Sequence, residues 1–211
     1  MATAHQRLLL MSVGSCALLE KVKDELFSGE ISSLNCVCIP TAAYAEENHD
    51  WLDTELDEFR SFGLSLDLFC IKDKTLDDVR AKLANADIIY VTGGNTYSLL
   101  EHMNKCGFAI ALRERLDQGA LYIGTSAGAV VTGPSIGFIE DMDDPSAANL
   151  DNDTGLHLVD FHFMPHIDGA YFKDAITVIA TGSHKLDKPL WGLKDNQALL
   201  YINNYIRLIE T

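Results

Sequence analysis

Short apolar runs alternating with longer amphipathic runs predict an α/β fold whose mainly parallel sheet carries helices on both faces. Glycines follow several of the amphipathic runs as helix ends. Closely spaced apolar runs near the C-terminus predict late antiparallel strands, because their gaps are too short for a helical crossover.

In order, LLLMSV (8–13) predicts a strand, and SCALLEKVKDELFS a helix with apolar positions three and four apart. CVCIP (36–40) is the second strand, EENHDWLDTELDEFRSFG a helix closing at Gly63, and LSLDLFCI the third strand. TLDDVRAKLANA predicts a helix opened by a capping box of Thr75 and Asp78. ADIIYVTGGN is a central strand, followed by helices NTYSLLEHMNKCG and ALRERLDQG with Gly107 and Gly119 as end signals. LYIGTSAGAV reads as strand, tight turn and helix. Residues 133–155 form an acidic, irregular segment, after which LHLVDFHFMPH returns to strand-like alternation. A helix over DGAYFKDAITVIATG and the strands LWGL, ALLYI and IRLI close the chain.

With 47% hydrophobic residues, 211 residues suffice for one domain burying roughly 70% of its unfolded surface. No linker, repeat or low-complexity tract divides it, so residues 1–211 are expected to form a single domain. MATAHQRLLLMSVG has an apolar core the length of a signal-peptide core. It carries one basic residue and runs into a strand pattern, so it reads as the first core strand. No run approaches the roughly 20 apolar residues of a membrane span. A net charge of −15 disfavours nucleic acids and anionic membrane surfaces as partners. Five cysteines, at 16, 36, 38, 70 and 106, are odd in number and lie mostly in apolar segments, which predicts a reduced, cytoplasmic protein. Cys36 and Cys38 share a strand face without a second ligand pair, and read as buried hydrophobes rather than zinc ligands.

Gly-Thr-Ser126-Ala-Gly carries the chemistry. A buried strand ending in Gly-x-Ser-x-Gly before a helix thrusts its serine out at the bend, as a nucleophile requires. An anion cradle at a helix start and a plain packing turn are the alternatives. The small neighbours read as clearance for a substrate carbonyl. A serine hydroxyl needs a base, an orienting acid and oxyanion donors. Of seven histidines, His5, His49, His102 and His184 read as surface residues, and His157 and His162 as packed or solvent-facing. His166, after Met164-Pro165 at the end of a strand, is the better base. Gly93-Gly94-Asn95 ends a strand so that backbone N–H groups can approach a ligand at the same sheet edge. The acid stays open among Asp160, the run Glu140–Asp144 and Asp195. D-N-D-T-G at 151–155 is half a calcium loop without its distal glutamate, and no metal or cofactor is expected.

LLLMSVG, CIPTAA, YVTGGNT, GTSAGA, the Pro-His of FMPHID and GLKDNQALL occur in the order found in the peptidase E (aspartyl dipeptidase) family of serine peptidases. The chain resembles that family, a relative of cyanophycinase with a fold akin to class I glutamine amidotransferases. The resemblance implies a Ser-His-acid triad of Ser126, His166 and Asp195, the last a position often glutamate in the family, with Asp141 as second candidate acid. It further implies an oxyanion hole from the N–H groups of Gly94 and Ala127, and substrate contacts near Gly93 and Asn95. The family reads an N-terminal aspartate through basic residues after the catalytic histidine, where Lys173 is the nearby base. The expectation is a serine-type peptidase acting on short peptides, including dipeptides with N-terminal aspartate, with a homodimer as the candidate assembly. An amidotransferase-like amidase, which would carry cysteine at the elbow, and a non-catalytic module holding a small anion are the alternatives.

Overall fold

The computed structural model describes residues 6–211; His5 lies outside them. Seven strands form one sheet in the order β3-β2-β4-β5-β1-β8-β9. The parallel part comprises β1 (Arg7–Met11), β2 (Asn35–Ile39), β3 (Ser65–Leu68), β4 (Ile88–Val91) and β5 (Leu121–Thr125). The antiparallel part is β8 (Gln197–Ile202), paired with β1, and β9 (Tyr205–Glu210), paired with β8. Asn203 and Asn204 join these two with positive φ, as a two-residue hairpin turn matching the strand twist requires.

Successive residues of each parallel strand face opposite sides of the sheet. Leu8, Leu10, Val37, Ile39, Ile89, Val91 and Tyr122 enter one core. Leu9, Met11, Cys36, Cys38, Ile88, Tyr90 and Ile123 enter the other. Burial on both faces explains why these runs are apolar throughout instead of alternating. Helices α1 (Cys16–Leu26) and α2 (Asp50–Ser61) cover the second core through Leu18, Leu19, Val22, Leu52, Leu56 and Phe59. Helices α3 (Leu76–Leu83), α4 (Thr96–Cys106) and α5 (Phe108–Asp117) cover the first. Steps from β1 to β2 to β3 run toward one edge and those from β3 to β4 to β5 run back, so a constant crossover hand puts the two helix sets on opposite faces. The capping box at Thr75 and Asp78 is present. Cys36 and Cys38 are buried, and burial pushes the Cys36 thiol up to about 12. Among the described residues, no helix is long and apolar enough to cross a membrane.

Two expectations need correction. Only His162–Met164 of the alternating run at 156–166 forms a strand (β6), and it pairs in parallel with β7 (Leu190–Gly192) in a separate two-stranded sheet. The N–H groups of Leu156 and Leu158 instead reach the carbonyls of Val131 and Thr132, so this segment meets its hydrogen bonds on the loop after the nucleophile turn. LWGL is therefore outside the antiparallel set. The predicted last helix is α7 (Lys173–Gly182).

The small residues of the elbow serve packing. A Cβ on Gly128 would collide with the Val91 carbonyl, and one on Gly124 would stand 2.5 Å from the Gly128 oxygen. This corrects the clearance reading for these two glycines: they let α6 (Ala127–Val130) sit against β4 and β5. Gly128→Ala is expected to cost about 2 kcal/mol or more by overpacking, lowering the melting temperature by roughly 5 °C. Differential scanning calorimetry checks this, and an unchanged melting temperature would contradict it.

Candidate active site

All parallel strands end at one edge, so the segments after β1, β2, β4 and β5 converge there. Ser126 follows β5 at φ 46° and ψ −112°, a strained conformation for a residue with a side chain. It is held by its N–H donating to the Met11 carbonyl at 3.0 Å, and by its own carbonyl accepting from Ala129 and Val130. With only four residues in α6, the anion-cradle alternative lacks a helix of useful length.

Ser126 Oγ lies 3.0 Å from His166 Nε2. His166 Nδ1 lies 2.7 Å from Asp195 Oδ1, so the shorter aspartate spans the distance. His166 has φ 61° and follows β6, while Asp195 sits in the turn between β7 and β8, where its N–H donates to Asp168 Oδ1 at 3.0 Å. Ser12, fully buried at the end of β1, ties the two together. Its Oγ donates to Asp195 Oδ1 at 2.7 Å and accepts from the His166 N–H at 2.7 Å.

Gly93 and Gly94 follow β4. A Cβ at Gly93 would come within 3.1 Å of Ser126 Cβ, and one at Gly94 (φ 121°) would collide with Ala42 backbone, so both positions need glycine. Neither the Gly94 nor the Ala127 N–H has a hydrogen-bond acceptor among the described residues, which leaves two donors free beside the hydroxyl.

The other sequence candidates fall outside this constellation. Asn95 caps α4, its Oδ1 accepting from the Ser98 N–H at 2.8 Å and its Nδ2 donating to the Asp144 carbonyl at 3.1 Å. That side chain is committed to structure. Lys173 is exposed on α7 and does not border the cleft. Asp141 is exposed, whereas Asp143 turns inward and accepts from the Thr96 N–H at 2.8 Å. Asp160 pairs with Lys188 on the surface, and His162 is buried against the Ser135 carbonyl. Asp153 of the half calcium loop accepts from Ser135 Oγ.

A cleft of about 490 Å³ opens over Ser126, walled by Trp51 and Phe172, with Phe172 stacked on the His166 ring at 5.1 Å. Glu46, Glu55, Glu58 and Asp143 border it, and among the described residues no lysine, arginine or cysteine does. Sequence reasoning missed Glu55. It occupies the apolar face of α2 with Leu52, Leu56 and Phe59, and that placement was its readable signal. It accepts from Tyr90 Oη, from Thr125 Oγ1 at 2.8 Å and from the Gly14 N–H at 3.1 Å.

A model of Peptidase family S51 matches residues 8–209. The chain belongs to Peptidase family S51. Among relatives, it is 35% identical over 186 residues to Uncharacterized peptidase PM1590 of Pasteurella multocida, covering 87% of this chain and 88% of that one. It is 30% identical over 138 residues to Peptidase E of Salmonella typhimurium, covering 64% and 56% of the two chains. A solved structure of a candidate peptidase E from Listeria monocytogenes EGD-e superposes with a TM-score of 0.87 at 31% identity, over 99% of this chain and 100% of that one. A peptidase from an acI-B1 Actinobacterium shares the fold, with a TM-score of 0.68 at 18% identity over 95% and 85% of the chains. As a member of S51 the protein is a peptidase of the serine type. The elbow serine distinguishes it from the amidase alternative.

The carboxylates give stability a pH optimum. Burial raises Glu55, Glu46 and Asp143 above the ordinary 4.5, 4.5 and 3.8. Stability from a raised carboxylate is full below its unfolded value and is lost as pH rises through the folded one. Self-repulsion at a net charge of −15 acts in the same direction. Glu58, held down chiefly by the Cys16 thiol hydrogen bond, and Asp78, by the Thr75 N–H, contribute stability above their unfolded values that is lost as pH falls. The melting temperature is therefore expected to be higher at about pH 5.5 than at about pH 8 and to fall below about pH 4. A monotonic rise toward pH 8 in a calorimetric series would contradict this.

Proposed function

We propose that the protein hydrolyses short peptides through an acyl-enzyme on Ser126, with His166 as general base and Asp195 as the acid that orients it. The observation carrying this reading is the unbroken chain from Ser126 Oγ to His166 Nε2 at 3.0 Å and from His166 Nδ1 to Asp195 at 2.7 Å. Asp195 accepts a hydrogen bond from Nδ1–H, which holds that proton on Nδ1 and leaves the Nε2 lone pair facing the hydroxyl. Ser126 Oγ then attacks the peptide carbonyl as Nε2 takes its proton. The tetrahedral oxyanion accepts from the Gly94 and Ala127 N–H groups, each worth about 3 kcal/mol in the transition state. Nε2 returns the proton to the leaving amine, and water activated by the same nitrogen releases the acyl group. The cleft of about 490 Å³ suits a short peptide. Five free cysteines support a reducing, cytoplasmic setting for what we treat as one α/β domain over residues 1–211.

Ser12 acts as a positioning residue, since its hydroxyl bonds to both the base and the acid. Ser12→Ala is expected to lower kcat by roughly tenfold, the loss of about 1.5 kcal/mol of orienting hydrogen bonds, with KM little changed. Steady-state kinetics on wild type and variant test this, and a change confined to KM would refute it. The function itself is tested by chromatography of a dipeptide panel incubated with wild type and His166→Ala. Amino-acid products from the wild type alone support the reading; no product from any peptide counts against it.

A further inference from the structure

The cleft over Ser126 has an unusual charge balance, and its four carboxylates divide into two kinds. Glu55 is occupied by three donors, and Glu58 accepts from the Cys16 N–H at 3.2 Å and from its thiol at 2.7 Å. Glu46 and Asp143 are different. Glu46 Oε2 accepts from Trp51 Nε1 at 3.2 Å, leaving its second oxygen without a hydrogen-bond partner among the described residues, and Asp143 is held by Thr96 alone, through its N–H at 2.8 Å and its side chain. Both line the same cleft, and burial first, and then the charge of Asp143, raises Glu46. Among the described residues, no lysine or arginine borders the cleft; His166 beside Asp143 and His49 beside Glu46 are the nearby groups able to carry positive charge.

Both groups line the cleft that holds Ser126 and His166. Asp143 also borders a smaller recess with Ser126 and His166. The tip of the Trp51 ring would be 3.5 Å from a Cβ on Gly93, and Ser126 Oγ 3.7 Å from that same point, so the Glu46 partner stands beside the nucleophile. Aromatic faces at Trp51 and Phe172 add attraction for a positive group.

We propose that Glu46 and Asp143 form an ammonium-binding subsite beside Ser126, selecting peptides with a positive charge on the acyl side of the scissile bond and discriminating against N-terminal aspartate. This rests on Ser126 being the nucleophile. A protonated amine supplies donors to the carboxylates and offsets their charge, whereas a substrate carboxylate meets like charge without a lysine or arginine to balance it. The α-ammonium group, two bonds from the scissile carbonyl carbon, matches the short reach; a lysine side chain offers the same chemistry.

The test uses Ala-Ala, Lys-Ala, Asp-Ala, N-acetyl-Ala-Ala and N-acetyl-Lys-Ala. Each is titrated calorimetrically into the Ser126→Ala protein, which reads binding without turnover, and kcat/KM is measured with the wild type. Ala-Ala and Lys-Ala are expected to bind and be cleaved, with Asp-Ala and N-acetyl-Ala-Ala weaker by roughly tenfold or more. Binding of N-acetyl-Lys-Ala would assign the subsite to the side-chain ammonium, and its loss to the α-ammonium; either supports the proposal. Glu46→Gln and Asp143→Asn are each expected to erode the free-amine preference by roughly tenfold. Glu46→Gln carries the test if Asp143→Asn disturbs α4. Preference for Asp-Ala, binding of N-acetyl-Ala-Ala as tight as that of Lys-Ala, or no binding of any of the five overturns the proposal. Failure of the serine reading would show separately, as absent fluorophosphonate labelling of a wild type that still binds the free amines.

Discussion

Ser126→Ala is expected to lower peptide hydrolysis by about ten-thousand-fold or more, because it removes the atom that forms the acyl-enzyme. The fold should survive the change. The Ser126 side chain makes one hydrogen bond, to His166, while its strained backbone is held by main-chain bonds to Met11, Ala129 and Val130. Alanine keeps the same backbone donor and acceptor. Steady-state rates together with an unchanged melting temperature would support this; retention of more than about a hundredth of the activity would assign the chemistry to another group.

Asp195→Asn is expected to lower kcat by roughly a thousand- to ten-thousand-fold, with a small effect on stability. Asp195 Oδ1 accepts from both His166 Nδ1 and Ser12 Oγ, each at 2.7 Å. An amide can turn its NH2 toward Nδ1, which favours the tautomer with its proton on Nε2, and that nitrogen then has no lone pair to take the Ser126 proton. The carboxyl group is 46% exposed, so the fold depends little on it. Asp195→Glu distinguishes charge from reach. A longer acid that recovers activity over asparagine would show that the negative charge matters, and equal activity in all three proteins would remove Asp195 from the mechanism.

The main sheet was legible because β1, β2, β4 and β5 are covered on both faces and read as unbroken apolar runs. The elbow was legible because the backbone at Ser126 demands small residues two positions to either side, although the cause is contact between Gly124, Gly128 and Val91 rather than room for substrate. The alternation at 156–166 misled, since a segment can bury every second side chain while bonding to a loop instead of a strand. In the irregular run 140–144 no period tells an inward carboxylate from an outward one; the family resemblance points to Asp141 as a second acid, but Asp141 is exposed and Asp143 borders the cleft. Ser12 sits in an apolar strand end, and only the approach of His166 and Asp195 from distant segments gives its hydroxyl a purpose. Asn95 and Lys173 had suitable chemistry, but one caps a helix and the other faces solvent.

The central claim is that Ser126 is a nucleophile activated by His166. Intact-mass analysis after exposure to a fluorophosphonate probe tests it most directly, with wild type, Ser126→Ala and His166→Ala compared under the same conditions. The account predicts one adduct per chain in the wild type and none in either variant. A folded wild type that takes up no probe, or a Ser126→Ala protein that is still labelled, would contradict it.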